Sequence, residues 1–142
     1  PCYESAAPAG SRRCVDSARE RGSIIIVIAT DAPLLPHQLE RVATRAALGV
    51  GRLGGIGANP SGDIFVAFST ANAGAARPDA AVTVTMLPND RIDGIFEATI
   101  DAAEEAIVNA MVAAETMTGA NGLRVTALPH DRLRAALRKY NR

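Results

Sequence analysis

Six apolar residues in a row, Ile24-Ile25-Ile26-Val27-Ile28-Ala29, follow directly on Gly22-Ser23. Nearly all are β-branched, and both alternating faces are apolar. Such a run reads as a central strand covered on both sides. Asp31-Ala32-Pro33 ends it. Residues 1–22 mix Ala, Ser, Pro, Gly and Arg with no helical or strand period, and read as a flexible leader or linker. The predicted organisation is therefore a tail over 1–22 and a folded domain over 23–142. Ser23 sits at the junction. If the Gly22–Ser23 bond is cut, Ser23 gains a free amine beside its hydroxyl. An adjacent amine is one base that can activate such a nucleophile. The junction fits a self-processing hydrolase precursor, or a piece of one.

Period and punctuation predict the other elements. Pro36 suits the first turn of a helix, and Leu35, Leu39, Val42 and Ala46 form its apolar stripe to about residue 48. Residues 49–62 are glycine-rich and read as a loop. Ile64-Phe65-Val66-Ala67-Phe68 is a second strand, apolar on both faces. Residues 81–87 alternate Val82, Val84, Met86 against Thr83 and Thr85, as in a half-buried strand. Asn89 or Asp90 can cap a long helix over about 91–117, with the stripe Ile92, Ile95, Phe96, Thr99, Ala103, Ala106, Ile107, Ala110, Ala114. A short strand over 123–128 and an amphipathic helix over 131–140 complete the chain. Helices layered on packed sheets, an α/β (α+β) class, follow from this order.

Composition narrows the partners. The 142 residues suit one domain. The 15 basic and 15 acidic residues balance, and aromatics make up only 4%, so neither a phosphate backbone nor stacked bases find a platform. Nucleic acid is not an expected partner. No run approaches the ~18 apolar residues of a membrane span, so no membrane is expected either. Residues 1–22 lack the apolar centre of a secretory signal, and the cytoplasm is the expected compartment. The chain does not begin with Met, and reads as a fragment or a processed product. Cys2 and Cys14 both lie in the tail and read as two incidental thiols. His37 and His130 stand apart from cysteines and carboxylates, so a metal site is not expected.

Two patterns suggest chemistry. Gly49-Val50-Gly51-Arg52-Leu53-Gly54 fits G-x-G-x-x-G, but it follows a helix instead of joining a strand to one. A mobile loop beside a cleft is the better reading. Ser61-Gly62-Asp63 precedes the second strand. Two apart in extended chain, Ser61 and Asp63 point the same way, and a carboxylate there can polarise a hydroxyl. Pro60-Ser61-Gly62-Asp63 is also good turn composition, and spacing alone favours the turn. No G-x-S-x-G elbow is present to mark another serine.

Four stretches, in order, carry a family resemblance: residues 22–34, from Gly22-Ser23 to Leu34; Pro36-His37-Gln38-Leu39; residues 61–72, from Ser61-Gly62-Asp63 to Asn72; and Ala114-Glu115-Thr116-Met117-Thr118-Gly119. From Ser23 to about Leu137, the chain resembles the catalytic β-subunit of the L-aminopeptidase/D-esterase–amidase and β-aminopeptidase family. Residues 1–21 show no such likeness.

The resemblance implies an αββα sandwich like that of N-terminal nucleophile hydrolases, with different connectivity, incomplete without an α-subunit from the same precursor. It implies release of N-terminal residues from peptides, amides or esters without cofactor or metal, and oligomers of αβ units. By position, Ser23 matches the nucleophile, Gly22–Ser23 the autocleavage bond, and Ser61 with Asp63 the proton relay. Members active on β-peptides typically carry Glu where Asp63 stands, which leans the reading toward the L-aminopeptidase/D-amidase branch. The family's oxyanion-hole donors lie in the α-subunit, so the isolated chain is expected to be inactive. Two alternatives remain: an acyltransferase like ornithine acetyltransferase, which uses threonine as nucleophile, and an inactive fragment.

Overall fold

The computed structural model describes residues 2–4, 12–14, 22–77 and 79–141. The chain divides into two compact units, Arg21–Glu105, and Pro1–Glu20 together with Ala106–Arg142.

In the first unit, strand β3 (Ile25–Thr30) leads to helix α1 (Pro36–Arg52), which returns to strand β4 (Ile64–Ser69). The two strands pair in parallel, Ile25 opposite Ile64 through Thr30 opposite Ser69. A helical crossover is what a parallel pair requires. Helix α2 (Asp93–Ala113) follows a 3₁₀ turn at Asn89–Arg91. One face of the strand pair meets the helices. There Leu34, Val42, Ile92 and Phe96 form the buried core, with Ile28, Ala67, Leu39 and Ile95 packed against them. Arg45 lies 3.9 Å above the Phe96 ring and Arg41 lies 5.1 Å from it, so the core edge is closed by stacked guanidiniums.

Both strands are apolar on both faces, and coverage on both was expected. Among the described residues one face is open: Ile25, Val27, Ile64, Val66 and Phe68 are exposed, Ile25 by 68%. Parallel pairs seldom leave a face to water.

Gln38 is a buried polar residue that the stripe did not include. It is fully buried and satisfied. Its Oε1 accepts from the Leu35 N–H at 3.1 Å, covering the first orphan amide of α1. Its Nε2 donates to Leu87 O at 2.8 Å and to Asn89 Oδ1 at 2.9 Å.

Helix α1 runs to Arg52, four residues beyond the expected end. Gly49 is the reason it packs there: a Cβ on Gly49 would lie 2.8 Å from both Ala103 Cβ and Ile100 O. That glycine serves a close helix–helix approach instead of opening a loop. Positive φ begins later, at Gly54 and Gly57. The end of α1 is tied to the middle of α2 by exposed ion pairs, Arg52 with Asp101 at 2.6 Å and Glu104 at 3.1 Å. Asp101 first, and then Glu104, hold the Arg52 guanidinium proton more tightly than usual.

The strand expected over 81–87 does not form. Thr85 instead donates its N–H to Asn72 Oδ1, and its carbonyl accepts from Asn72 Nδ2, both at 3.0 Å. A side-chain amide takes the place of a neighbouring strand. Val82, Val84 and Met86 are exposed, as are Thr83 and Thr85, so the alternation separates no faces.

The second unit holds a four-stranded antiparallel sheet in the order β2 (Arg12–Cys14), β1 (Cys2–Glu4), β6 (Arg124–Val125), β5 (Met117–Thr118). Helix α3 (His130–Lys139) completes it. Two pieces of the expected leader are thus strands, with Cys2 opposite Cys14 and Glu4 opposite Arg124. Three-residue strands are too short to show a period. The rest of the leader, residue 1 with 5–11 and 15–21, lies outside the described residues. Helix α2 stops at Ala113, four residues short of expectation, and the apolar stripe weakens from Ala106 onward, where Ala106 and Ala110 are exposed and Ile107 is half-buried. No helix among the described residues is long and apolar enough to cross a membrane.

Candidate active site

The parallel register brings two stretches distant in sequence to one end of the strand pair. Ile64 donates its N–H to Ile24 O at 2.9 Å, continuing the ladder one residue before β3. One step further back, Ser23 stands beside Gly62 and Ile24 beside Asp63.

Ser61 and Asp63 meet as the two-residue spacing predicts. Ser61 Oγ donates to Asp63 Oδ1 at 2.7 Å. The turn reading holds as well, because the Ser61 N–H donates to Ala58 O at 2.7 Å. One local structure thus satisfies both descriptions: the turn delivers Ser61, and its hydroxyl meets Asp63 just before β4 begins. The same Asp63 Oδ1 accepts the Ile24 N–H at 3.0 Å. That amide is the one immediately after Ser23. The carboxylate therefore joins a serine hydroxyl to the backbone that carries a second serine.

Ser23 itself is exposed, and Ser61 and Asp63 are half-buried. Ser23 Oγ accepts the Gly62 N–H at 2.9 Å. Gly62 is the participant that residue patterns missed. Its signal was the register, since a parallel pairing of the two apolar runs puts Gly62 next to Ser23. Gly22 lies exposed before Ser23, and a Cβ there would meet nothing within 4 Å. The arrangement presents an accessible hydroxyl beside a carboxylate–hydroxyl pair, which suits nucleophilic and proton-transfer chemistry.

The histidines are not drawn into this site. His37 is exposed in the first turn of α1, beyond the other end of β3, and His130 Nε2 lies 3.0 Å from Val112 O in the second unit. Among the described residues no three His, Cys, Asp or Glu side chains are grouped to hold a metal ion. The G-x-G-x-x-G stretch cannot cradle phosphates as such a motif does, because Gly49 and Gly51 are helical.

Comparison with known proteins gives these residues a context. The profile of Peptidase family S58 matches residues 4–125, reaching further into the tail than the motifs alone suggested. The β-peptidyl aminopeptidase BapA of Sphingosinicella microcystinivorans is 58% identical over 122 residues, which are 85% of this chain and 31% of that protein. The PH0078 protein of Pyrococcus horikoshii superposes with a TM-score of 0.80 at 48% identity, covering 86% of this chain and 35% of that one. The L-aminopeptidase D-Ala-esterase/amidase of Ochrobactrum anthropi, a prototype of the serine aminopeptidases with a variant of the Ntn hydrolase fold, superposes with a TM-score of 0.77 at 52% identity. It is covered to 34% by 84% of this chain. The chain therefore spans about a third of the length of the relatives it matches, and its mixed α/β structure is part of that Ntn-hydrolase variant. With the profile matched across most of its length and such identities to solved and curated relatives, the chain belongs to peptidase family S58.

Proposed function

We propose that residues 23–142 are the catalytic portion of a self-processing serine aminopeptidase/amidase that releases N-terminal residues from peptides, amides or esters. Residues 1–22 precede the cleavage point. The observation that carries this reading is the bond pattern around Asp63, which accepts both the Ser61 hydroxyl and the Ile24 N–H beside an exposed Ser23.

The steps are as follows. In the precursor, Ser23 Oγ attacks the Gly22 carbonyl, the Gly22–Ser23 C–N bond breaks, and the hydroxyl proton passes to the Ser23 nitrogen. Water then hydrolyses the resulting ester and leaves a free Ser23 amine. In turnover, Ser23 Oγ attacks the substrate carbonyl. Its proton moves to the Ser23 amine, or through Ser61 and Asp63, and on to the leaving amine or alcohol. Water attacks the acyl-enzyme, and Oγ regains its proton.

An α-subunit from the same precursor completes this site. The open apolar face of β3 and β4 supports a missing layer, as does the third of its relatives' length that the chain covers. Oxyanion donors supplied by that subunit explain why the chain alone is expected to be inactive, since removing one such donor costs ~10²–10³ in rate. The αβ units form oligomers, and the cytoplasm is the proposed compartment, to be checked by fractionation. No observation favours the acyltransferase alternative: the Sphingosinicella and Ochrobactrum relatives are aminopeptidases by name, and Ser23 stands where threonine is required.

Mass spectrometry of the full precursor should show cleavage between Gly22 and Ser23. Ser23→Ala should abolish both cleavage and hydrolysis of amino-acid nitroanilides. An uncleaved precursor with full activity would overturn the reading. Asp63 points toward L-residue amides and D-residue esters, whereas the Sphingosinicella relative is a β-peptidyl enzyme. Rates on L-alanyl, D-alanyl and β-alanyl nitroanilides decide between the branches.

A further inference from the structure

In a regular parallel ladder, donors on one strand meet every second carbonyl of the other. Along β3 and β4, the Ile64 N–H meets Ile24 O at 2.9 Å, and at the far end the Thr70 N–H meets Thr30 O at 3.0 Å. Continued one rung backward, that pattern sends the Gly62 N–H to the Gly22 carbonyl and the Ile24 N–H to the Gly62 carbonyl. Neither occurs. The Gly62 N–H goes to Ser23 Oγ at 2.9 Å, and the Ile24 N–H goes to Asp63 Oδ1 at 3.0 Å. The ladder is diverted onto side-chain oxygens at the residue read as the nucleophile.

Gly62 itself is not demanded by backbone conformation, since it is not among the glycines with positive φ. A Cβ there would meet one atom within 4 Å, Ser23 Oγ at 3.5 Å. A methyl there would sit in ordinary contact with the nucleophilic oxygen.

We propose that the Gly62 peptide N–H is a catalytic donor to Ser23 Oγ, a role that rests on Ser23 being the nucleophile. The donor orients the hydroxyl and stabilises negative charge on Oγ as it attacks the carbonyl. It acts again in deacylation, when the Oγ–carbonyl bond breaks, water supplies the new oxygen, and Oγ leaves before regaining a proton. Gly62 transfers no atom in either step. Hydrogen bonds to charged oxygen are the strong ones, and loss of one corresponds to roughly 10–100-fold. The diverted rung also separates the Gly22 carbonyl from a donor that would otherwise tie it into the sheet.

The test uses the full precursor with glycolate incorporated at position 62, which replaces the N–H by an ester oxygen. Self-cleavage and labelling of Ser23 by a fluorophosphonate should each slow by roughly 10–100-fold. Rates within about twofold of the wild type overturn the proposal. Hydrogen exchange provides a measurement independent of that variant's folding. Protection of the Gly62 amide should fall in Ser23→Ala, and unchanged protection also overturns the donor role. Activity that survives Ser23→Ala sinks the nucleophile assignment itself. Ser23-dependent activity with an indifferent glycolate variant sinks only the role of Gly62.

Discussion

The two ends of the β3–β4 pair are built from the same parallel register and finish differently. At the carboxyl end the ladder runs on through Thr70 and Thr30, and the Ser69 hydroxyl ties to Ala32 O at 2.6 Å. Beyond it, buried Gln38 joins Leu35, Leu87 and Asn89 with all its polar atoms satisfied. At the amino end the backbone bonds give way to side-chain oxygens, and Ser23 remains exposed. Polar groups are thus used in two ways. Fully buried and saturated, an amide fixes how a helix and a loop start. Half-open, a carboxylate and two hydroxyls keep accessible lone pairs for chemistry.

Substitutions should separate the two ends cleanly. The largest effect is expected at Asp63→Asn. Asparagine can still accept from Ile24 and Ser61 but cannot take a proton at neutral pH. Turnover should fall by ~10²–10⁴ with little change in melting temperature. A melting temperature that falls in step with activity would make Asp63 a structural residue like Gln38 and erase the contrast.

Gln38→Ala is the mirror test. It orphans the Leu35 N–H and the Leu87 carbonyl and leaves a cavity, so it should cost about 2–4 kcal/mol of stability. The remaining folded, cleaved enzyme should keep its kcat within about threefold. Denaturant melts paired with active-site titration measure both.

The smallest of the three is Gly49→Ala. Its methyl would press on Ala103 and the Ile100 carbonyl, which predicts a loss of about 1–3 kcal/mol without a change in substrate preference. A neutral result would mean that α1 and α2 can move apart at low cost.

Much of the first unit was legible in the chain. The two apolar runs became strands, and Pro36 opened the first helix. Both readings of Ser61-Gly62-Asp63 hold, the turn that spacing favoured and the hydroxyl–carboxylate pair that it also allowed. The misreadings share a cause. Gly49 looked like the start of a loop because glycine opens loops, but here it makes room for a neighbouring helix. Residues 81–87 have strand alternation without a strand partner, because Asn72 satisfies Thr85. Gln38 fell outside the apolar stripe, although its burial is what closes the carboxyl end. Each depends on a residue far along the chain.

Sequence alone determined the two apolar runs, the serine at their threshold and the serine–carboxylate spacing, because these are local in the chain. Only the tertiary structure decided that the runs pair in parallel with Ile25 opposite Ile64. That register sets Gly62 against Ser23 and Asp63 against Ile24, and a slip would change the partners of every hydroxyl at the site. Gly22-Ser23 is thus a local feature of the chain, whereas the environment of its oxygen is made by a strand that begins about 40 residues later, held there by the geometry of parallel pairing.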